Sequence, residues 1–525
     1  MVMQYKKDPE KRMTCDIFSA GELGLRIERL LERLQKDYYT TDHIFKTFPD
    51  DYSWPGDFEG RVVLALTLLA QCVGKEPDNL KQIIAQFPVQ MNEKGYFGIV
   101  KKDDVIDEQV LASHGWVLRA LCEYYLWKKK EDCLVMIHRI LDSLIMPLAN
   151  KMASYPKNPD DRNDKTGGFI GAGCDDVVNG WKLSTDIGCV YILLDGLVQA
   201  YAITEREEMI PIIESMVNLY PQIDTLAIHA QTHATLTTLR GLLRWYKIKP
   251  SEQLLKIVVD KYALYRSEGM TENYENYNWF GKPTHTEPCG IIDSFMVAVQ
   301  LWKITGNIHY LEDAHLIYYN GICATQQKNG GFEIHNCSGA STEPLKILAE
   351  EAYWCCTMRG GEGLSFLHNN LYQIQKDTIV IPFFNDGKLE TDDVCVEQLT
   401  EYPLNGQTSF KIHTTKPLVL KLFAPSWTEN HRVSVNESPV QTLVKDGFIT
   451  VTVSNDDQIK YQFDLIKKSY DPINKYTIPG YRTFRNGVLV MSSNRDNPQY
   501  VYHLMSEKRK KDDWSLPINC GKLQK

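Results

Sequence analysis

Between about residue 20 and residue 370, apolar residues recur at helical spacing in stretch after stretch, each ending on an aromatic residue and followed by a polar break. Val117 to Trp127, Ile192 to Tyr201, Leu236 to Tyr246 and Phe295 to Trp302 line up in this way. The last runs into Lys303-Ile304-Thr305-Gly306-Asn307, a glycine-bearing stop, before Tyr310 and Leu311 open another amphipathic stretch. Such a chain folds into helical hairpins. Glycine-aromatic segments fall between them: Gly95-Tyr96-Phe97-Gly98, Gly167-Gly168-Phe169-Ile170-Gly171 and Gly330-Gly331-Phe332. Their irregular spacing argues against a stack of identical repeats. A closed ring of hairpins fits better, because closure buries the inner helices without needing identical units.

After about residue 371 the period changes from helical to alternating. Thr378 to Phe384, Leu418 to Leu422, Phe448 to Val453 and Lys460 to Phe463 read as short strands, separated by turn signals such as Asn385-Asp386-Gly387 and Asn405-Gly406. The sequence therefore predicts a mainly α chain with a β domain: a helical barrel over residues 1–370 and a β-sandwich over residues 371–525. At 525 residues the chain is long enough for both.

The net charge of -9 provides no basic footprint for nucleic acid. The basic run Lys508-Arg509-Lys510-Lys511 sits beside Asp512 and Asp513 and reads as solvated surface. No apolar stretch approaches the roughly 18 to 20 residues that span a bilayer. The start, Met-Val-Met-Gln-Tyr-Lys-Lys, is polar. The sequence as it stands reads as cytoplasmic, or as periplasmic or secreted if a leader has been removed. Thirteen scattered cysteines, an odd number, do not form a disulfide framework. Gly171-Ala172-Gly173 lacks the third glycine of a dinucleotide fingerprint, so a nucleotide cofactor is not expected.

Two short elements carry the strongest chemistry. Thr286-Glu287-Pro288-Cys289 and Tyr353-Trp354-Cys355-Cys356 together offer one carboxylate and three thiols. Zn²⁺ favours four tetrahedral ligands of these kinds. Adjacent cysteines share a metal more easily than they share a disulfide, since their Cα atoms lie only about 3.8 Å apart. These patterns are short, and ordinary buried thiols produce them too.

Thr-Glu-Pro-Cys preceded by a glutamate-bearing segment, then Tyr319-Asn320-Gly321, then a Cys-Cys pair opening a glycine-rich helix start, resembles the β-L-arabinofuranosidase family, glycoside hydrolase family 127, formerly the DUF1680 family. The resemblance covers most of residues 50–370. It implies an (α/α)6 barrel with β-sandwich structure, and a zinc held by Glu287, Cys289, Cys355 and Cys356. It further implies a retaining exo-glycosidase that uses Cys355 as nucleophile and removes L-arabinofuranose or a related sugar from plant-type glycans. Metal coordination would hold the thiol, ordinarily near pKa 8.5, as thiolate. That thiolate would stand where most retaining glycosidases place a carboxylate.

The family sets its general acid about sixteen residues before the E-x-C element. Glu272, fifteen before Glu287, is the choice, with Glu268 and Glu275 as alternatives. Arg359 is the candidate to offset the site's negative charge. His114, His229, His233 and Trp279 are candidate sugar contacts, with Trp54, Asp57 and Phe280 in loops of similar character; each reads equally as a packing residue. Adjacent Asp175 and Asp176 would point apart in an extended segment and do not make an acid-base pair.

The chain departs from the family where Thr357-Met358-Arg359-Gly360-Gly361 replaces the Pro-Pro-Asn that often follows the paired cysteines. That bears on the sugar more than on the zinc. A non-catalytic carbohydrate-binding protein with a structural zinc is the competing reading, and a lyase or isomerase with a Tyr or His base ranks behind it. An oligosaccharide or glycoside is the expected partner, and a homodimer is compatible with the sequence.

Overall fold

The computed structural model describes residues 16–48, 54–100, 104–161 and 173–493. The segment 167–171 and the basic run at 508–511 lie outside the described residues. Among the described residues twelve helices of ten residues or more appear. They are α1 (Gly21–Arg33), α2 (Asp57–Val73), α3 (Asp78–Gln90), α4 (Glu108–Lys128), α5 (Glu131–Ile140) and α6 (Leu193–Thr204), then α7 (Ile210–Leu219), α8 (Thr232–Ile248), α9 (Glu252–Glu268), α10 (Pro288–Thr305), α11 (Ile308–Ile317) and α12 (Cys356–His368).

The even-numbered helices form an inner ring in which each packs on the next and α12 closes back onto α2. Each inner helix carries one outer partner: α3 on α2, α5 on α4, α7 on α6, α9 on α8, α11 on α10, and α1 on α12. This is an (α/α)6 barrel. Three of the four aligned sequence stretches fall within α4, α8 and α10, and the fourth, Ile192 to Tyr201, begins on the residue that caps α6; all four helices are inner ones. These helices are buried nearly all round, as position inside a ring requires. Glycines let the ring close. A Cβ on Gly60 would come within 2.7 Å of the Val117 backbone nitrogen, and one on Gly241 within 2.9 Å of that of Asp195.

Boundaries follow local chemistry. Asp107 Oδ1 accepts the Gln109 and Val110 amides and starts α4. Gly306, at φ 71°, ends α10, and Asn307 caps α11 by accepting the His309 amide.

Beyond α12 the chain forms two sheets. One runs in the order Asp16–Ser19, Gly387–Glu390, Val394–Thr400, Gln407–Thr414, Gln458–Leu465, Thr428–Val435, Ser438–Val440. The other runs Val444–Lys445, Phe448–Val453, Leu418–Phe423, Thr378–Ile381, Gln373–Gln375. Buried residues alternate along these strands, and Tyr461 of the first sheet donates to the Phe423 carbonyl of the second at 3.2 Å. The strand Asp16–Ser19, ahead of the barrel, pairs antiparallel with Gly387–Glu390. A third sheet, Lys467–Tyr470, Thr483–Asn486 and Leu489–Ser493, returns to the barrel, where Asn320 bonds both the Val488 carbonyl and the Val490 amide. No described helix is long and apolar enough to cross a membrane.

Candidate functional site

The N-terminal ends of several inner helices converge on one mouth of the barrel. Pro288 opens α10, where its missing N–H costs nothing, so Glu287 becomes the helix cap and Cys289 sits in the first turn. Cys355 occupies the corresponding cap of α12, and Cys356 is that helix's first residue. Asp57 starts α2, and Gln231 caps α8. The partial positive charge of such helix ends favours anionic groups there.

The ring brings Glu287, Cys289, Cys355 and Cys356 together, with their ligand atoms all within 4.8 Å of one another. Cys355 Sγ lies 3.3 Å from Cys356 Sγ and 4.0 Å from Glu287 Oε1, and Cys289 Sγ lies 3.5 Å from Cys356 Sγ. Thiolates about 2.3 Å from a tetrahedral zinc stand roughly 3.8 Å apart, so the donor set and its spacing fit a divalent metal of that kind. Titration points the same way. Burial, reinforced by Asp186, pushes the Glu287 carboxyl up to about 8. The Cys289 and Cys356 thiols are held well above their usual range, chiefly by burial; Cys355 is raised chiefly by its hydrogen bond with Cys289. Four groups that oppose one another's ionisation are a site waiting for positive charge.

Exposure divides the four. Cys289 and Cys356 are completely buried, at 0 %. Cys355 and Glu287 are only partly buried, and both line a cavity shared with Trp54, Asp57, Asp186 and Trp354. Arg61 lines it too. Its Nε donates to Asp57 Oδ2 at 2.8 Å and its Nη1 to Cys289 Sγ at 3.7 Å. Against the cost of burial, Asp57, Cys289 and Cys355 hold this guanidinium above its ordinary range.

Arg359, expected to offset the cluster's charge, is engaged deeper in the barrel. It pairs with Asp293 and Glu362, and its guanidinium lies 4.4 Å from the Trp116 ring centroid. Arg61 makes the direct contact instead. The signal for it was the Asp57-x-x-x-Arg61 pair inside an otherwise apolar helix, an i,i+4 pairing that a buried helix seldom carries without purpose.

Of His114, His229, His233 and Trp279, His233 alone lines the cavity among the described residues. Its Nδ1 is bonded to Asp293 Oδ2 at 2.8 Å, its ring stacks on Trp116, and its Nε2 is buried without a protein partner among the described residues. His114 does not. It lies inside α4 rather than at its start, fully buried, with Nε2 accepting the Phe97 amide at 3.0 Å and Nδ1 on the Val110 carbonyl at 2.7 Å. His229 holds the Phe280 carbonyl at 2.8 Å away from the cavity lining. Trp279 and Phe280 are fully buried; Trp279 backs the cavity residue His285, edge to face at 5.2 Å. Trp54 and Asp57 do line the cavity.

None of the three glutamates considered as general acid lines it. Glu272 is 1 % exposed, and its carboxylate accepts the Ile473 and Asn474 amides at 3.1 Å and the Thr477 hydroxyl at 2.5 Å. It fastens the returning C-terminal segment to the barrel. Glu275 is tied to His335, which also holds Glu333, each at 2.7 Å. Glu268 pairs with Lys475 at 2.8 Å. Residues 357–361, where the chain departs from the family pattern, turn inward along α12 and do not line the cavity either.

Residues 378–465 match the family model described as the middle domain of β-L-arabinofuranosidase, GH127. No curated relative matches the chain. Among solved structures, the β-L-arabinofuranosidase Ara127N of Geobacillus stearothermophilus T6 superposes with a TM-score of 0.66 at 13% identity, covering 90% of this chain and 86% of that one. The GH127 β-arabinofuranosidase BT3674 superposes at 0.64 and 14%, covering 90% and 84%, and a further glycoside hydrolase at 0.64 and 14%, covering 91% and 83%. At these identities the superpositions show the fold. Joined to the family match, they define the chain as a glycoside hydrolase, an enzyme acting on carbohydrate. The resemblance read from its motifs, to glycoside hydrolase family 127, holds.

Proposed function

We propose that the protein is a retaining, exo-acting glycoside hydrolase whose nucleophile is Cys355, held as a zinc thiolate in a site completed by Glu287, Cys289 and Cys356. Its substrate is an L-arabinofuranoside or a related sugar of plant-type glycans, as in the GH127 β-L-arabinofuranosidases it resembles in fold.

One observation supports catalysis most directly: of the three cluster residues that line the cavity, Cys355 and Glu287 are partly exposed, while Cys356 is fully buried at its wall and Cys289 lies behind it. A purely structural staple has no reason to present a thiol to a cavity. When bound, zinc would keep the Cys355 sulfur anionic at neutral pH and lower its affinity for a proton when it departs. The chain's own residues do the rest. Arg61 balances charge beside Cys289, the helix ends aim Cys355 and Glu287 outward, and Trp54 and Trp354 supply apolar wall against which a sugar ring can pack.

Four protein ligands close a coordination sphere, and closed zinc sites are usually structural. A non-catalytic carbohydrate-binding protein is therefore the second reading. Elemental analysis together with hydrolysis of an aryl glycoside panel separates the two. About one zinc per chain is expected, with hydrolysis lost by more than roughly 10⁴-fold in Cys355→Ser. A sugar adduct on Cys355 should be trapped on denaturing the enzyme during turnover. Zinc without hydrolysis of any sugar would establish the structural staple.

A further inference from the structure

A departing glycosidic oxygen needs a proton, and the water that follows needs a base. Three carboxylates line the cavity among the described residues: Asp57, Asp186 and Glu287. Asp57 is held by Arg61, and Glu287 belongs to the cysteine cluster. Two histidines line it as well: burial lowers His233 to about 4, leaving it no proton to give near neutrality, and His285 is engaged on both ring nitrogens, by Thr284 at 3.0 Å and Asn278 at 3.2 Å. Asp186 remains. Its side chain is partly exposed to the cavity and makes no hydrogen bond or ion pair among the described residues.

We propose that Asp186 is the general acid and base of this site, a role that rests on Cys355 being its nucleophile. The backbone around it is fixed from both sides. The Asp186 amide donates to Ser184 Oγ at 3.0 Å, and the Ser184 amide donates to Glu108 Oε2 at 2.9 Å. The Cys189 amide donates to the Asp186 carbonyl at 3.0 Å, and the Gln231 amide donates to the Ile187 carbonyl at 3.0 Å. A carboxylate left uncommitted on a rigid turn is arranged to meet a ligand.

Its protonation suits the task. Burial, then Asp57 on α2 and Glu108 on α4, push the Asp186 carboxyl up to about 7, with Arg61 on α2 pulling against them. Glu287, entering α10, faces the same cavity. A carboxyl poised near neutrality can give a proton and take one back.

In the first step a Cys355 sulfur lone pair forms the S–C1 bond. The C1–O pair goes to the leaving oxygen, which takes the Asp186 proton and departs as an alcohol. In the second step water attacks C1 and gives its proton to the Asp186 carboxylate, and the C1–S pair returns to sulfur.

The test compares Asp186→Asn, Asp186→Glu and Glu272→Gln with wild type on the 4-nitrophenyl and methyl glycosides of the sugar that wild type cleaves, β-L-arabinofuranosides first. Asp186→Asn should lose 10²- to 10⁴-fold in kcat/KM on the methyl glycoside. It should lose less than about tenfold in the first step on the 4-nitrophenyl glycoside, whose leaving group needs no proton. Azide should restore its turnover, yielding a glycosyl azide of retained configuration, and Asp186→Glu should recover part of the methyl activity. Equal losses on both substrates, or the leaving-group pattern in Glu272→Gln instead, would overturn the assignment. Should Asp186→Asn fail to fold, Asp186→Glu with undiminished methyl activity and an unshifted pH profile would overturn it as well. Cys355→Ser retaining wild-type activity would sink the nucleophile while leaving the Asp186 result to stand by itself.

Discussion

Two anionic clusters share the interior of this barrel, and their surroundings differ in one respect. Below the cavity, Asp195, Asp293, Glu362 and Glu123 interlock with Arg119, Arg240, Arg244 and Arg359, through contacts such as Arg240 to Asp293 and Arg244 to Asp195, both at 2.8 Å. Burial alone would raise these carboxyls, yet the arginines hold Asp195 and Asp293 well below the ordinary carboxylate range. At the cavity, Glu287 and three thiols have Arg61 as their contacting cation, and burial wins: all four are pushed upward. The lower cluster carries its own counter-charge and needs no visitor. The upper one is short of positive charge where the chain also opens a cavity, and that shortage marks it as the functional one.

The contrast can be broken from below. Asp293→Ala would leave Arg240 and Arg359 facing each other and His233 without its anchor. It should cost about 3–5 kcal/mol, the usual penalty for half of a buried pair, read as a lowered denaturant midpoint. A cost under about 1 kcal/mol would mean that the lower cluster is not interlocked. Glu272→Gln is a smaller perturbation. It weakens three hydrogen bonds to residues 473–477 and should cost about 1–3 kcal/mol, with faster amide exchange in that segment and activity within a few-fold of wild type. A collapse of activity at unchanged exchange would return Glu272 to the chemistry.

Smallest is a stability effect at Asp186. Its folded pKa, about 7, lies above the ordinary aspartate value, so its contribution is full in acid and is lost as pH rises through 7. Asp186→Asn should therefore change little below about pH 4 and stabilise the fold at pH 8 by on the order of 1 kcal/mol, the full value of roughly 4 kcal/mol being reduced by the side chain's partial exposure, as measured by thermal unfolding. A destabilisation at pH 8 would mean that the carboxylate has a partner holding it charged.

Much of this was legible in the sequence because its signals are local. The 3.6 period marks each inner helix, and Glu287 with Cys289, and Cys355 with Cys356, are paired at spacings of two and one. The six-membered closure came from the family resemblance rather than from periodicity, as did the proposed metal ligand set and the proposed nucleophile. Asp186 was missed because it stands in an ordinary Ser-Thr-Asp turn, about a hundred residues from Glu287, joined to the cysteines only by closure of the ring. Glu272 was chosen from a carried-over spacing in a loop. The residues that claim its carboxylate, 473–477, lie some two hundred positions further on, and no local pattern announces that they return to the barrel. His114 looked like a helix start, but the Asp107 cap begins α4 earlier and carries the ring into the core.

X-ray absorption at the zinc edge of the purified protein tests the charge argument most directly. The prediction is one zinc per chain with three sulfurs near 2.3 Å and one oxygen at about 2.0–2.2 Å, falling to two sulfurs in Cys355→Ser. Carefully reduced protein that binds no metal, or a metal shell of light atoms alone, would contradict it.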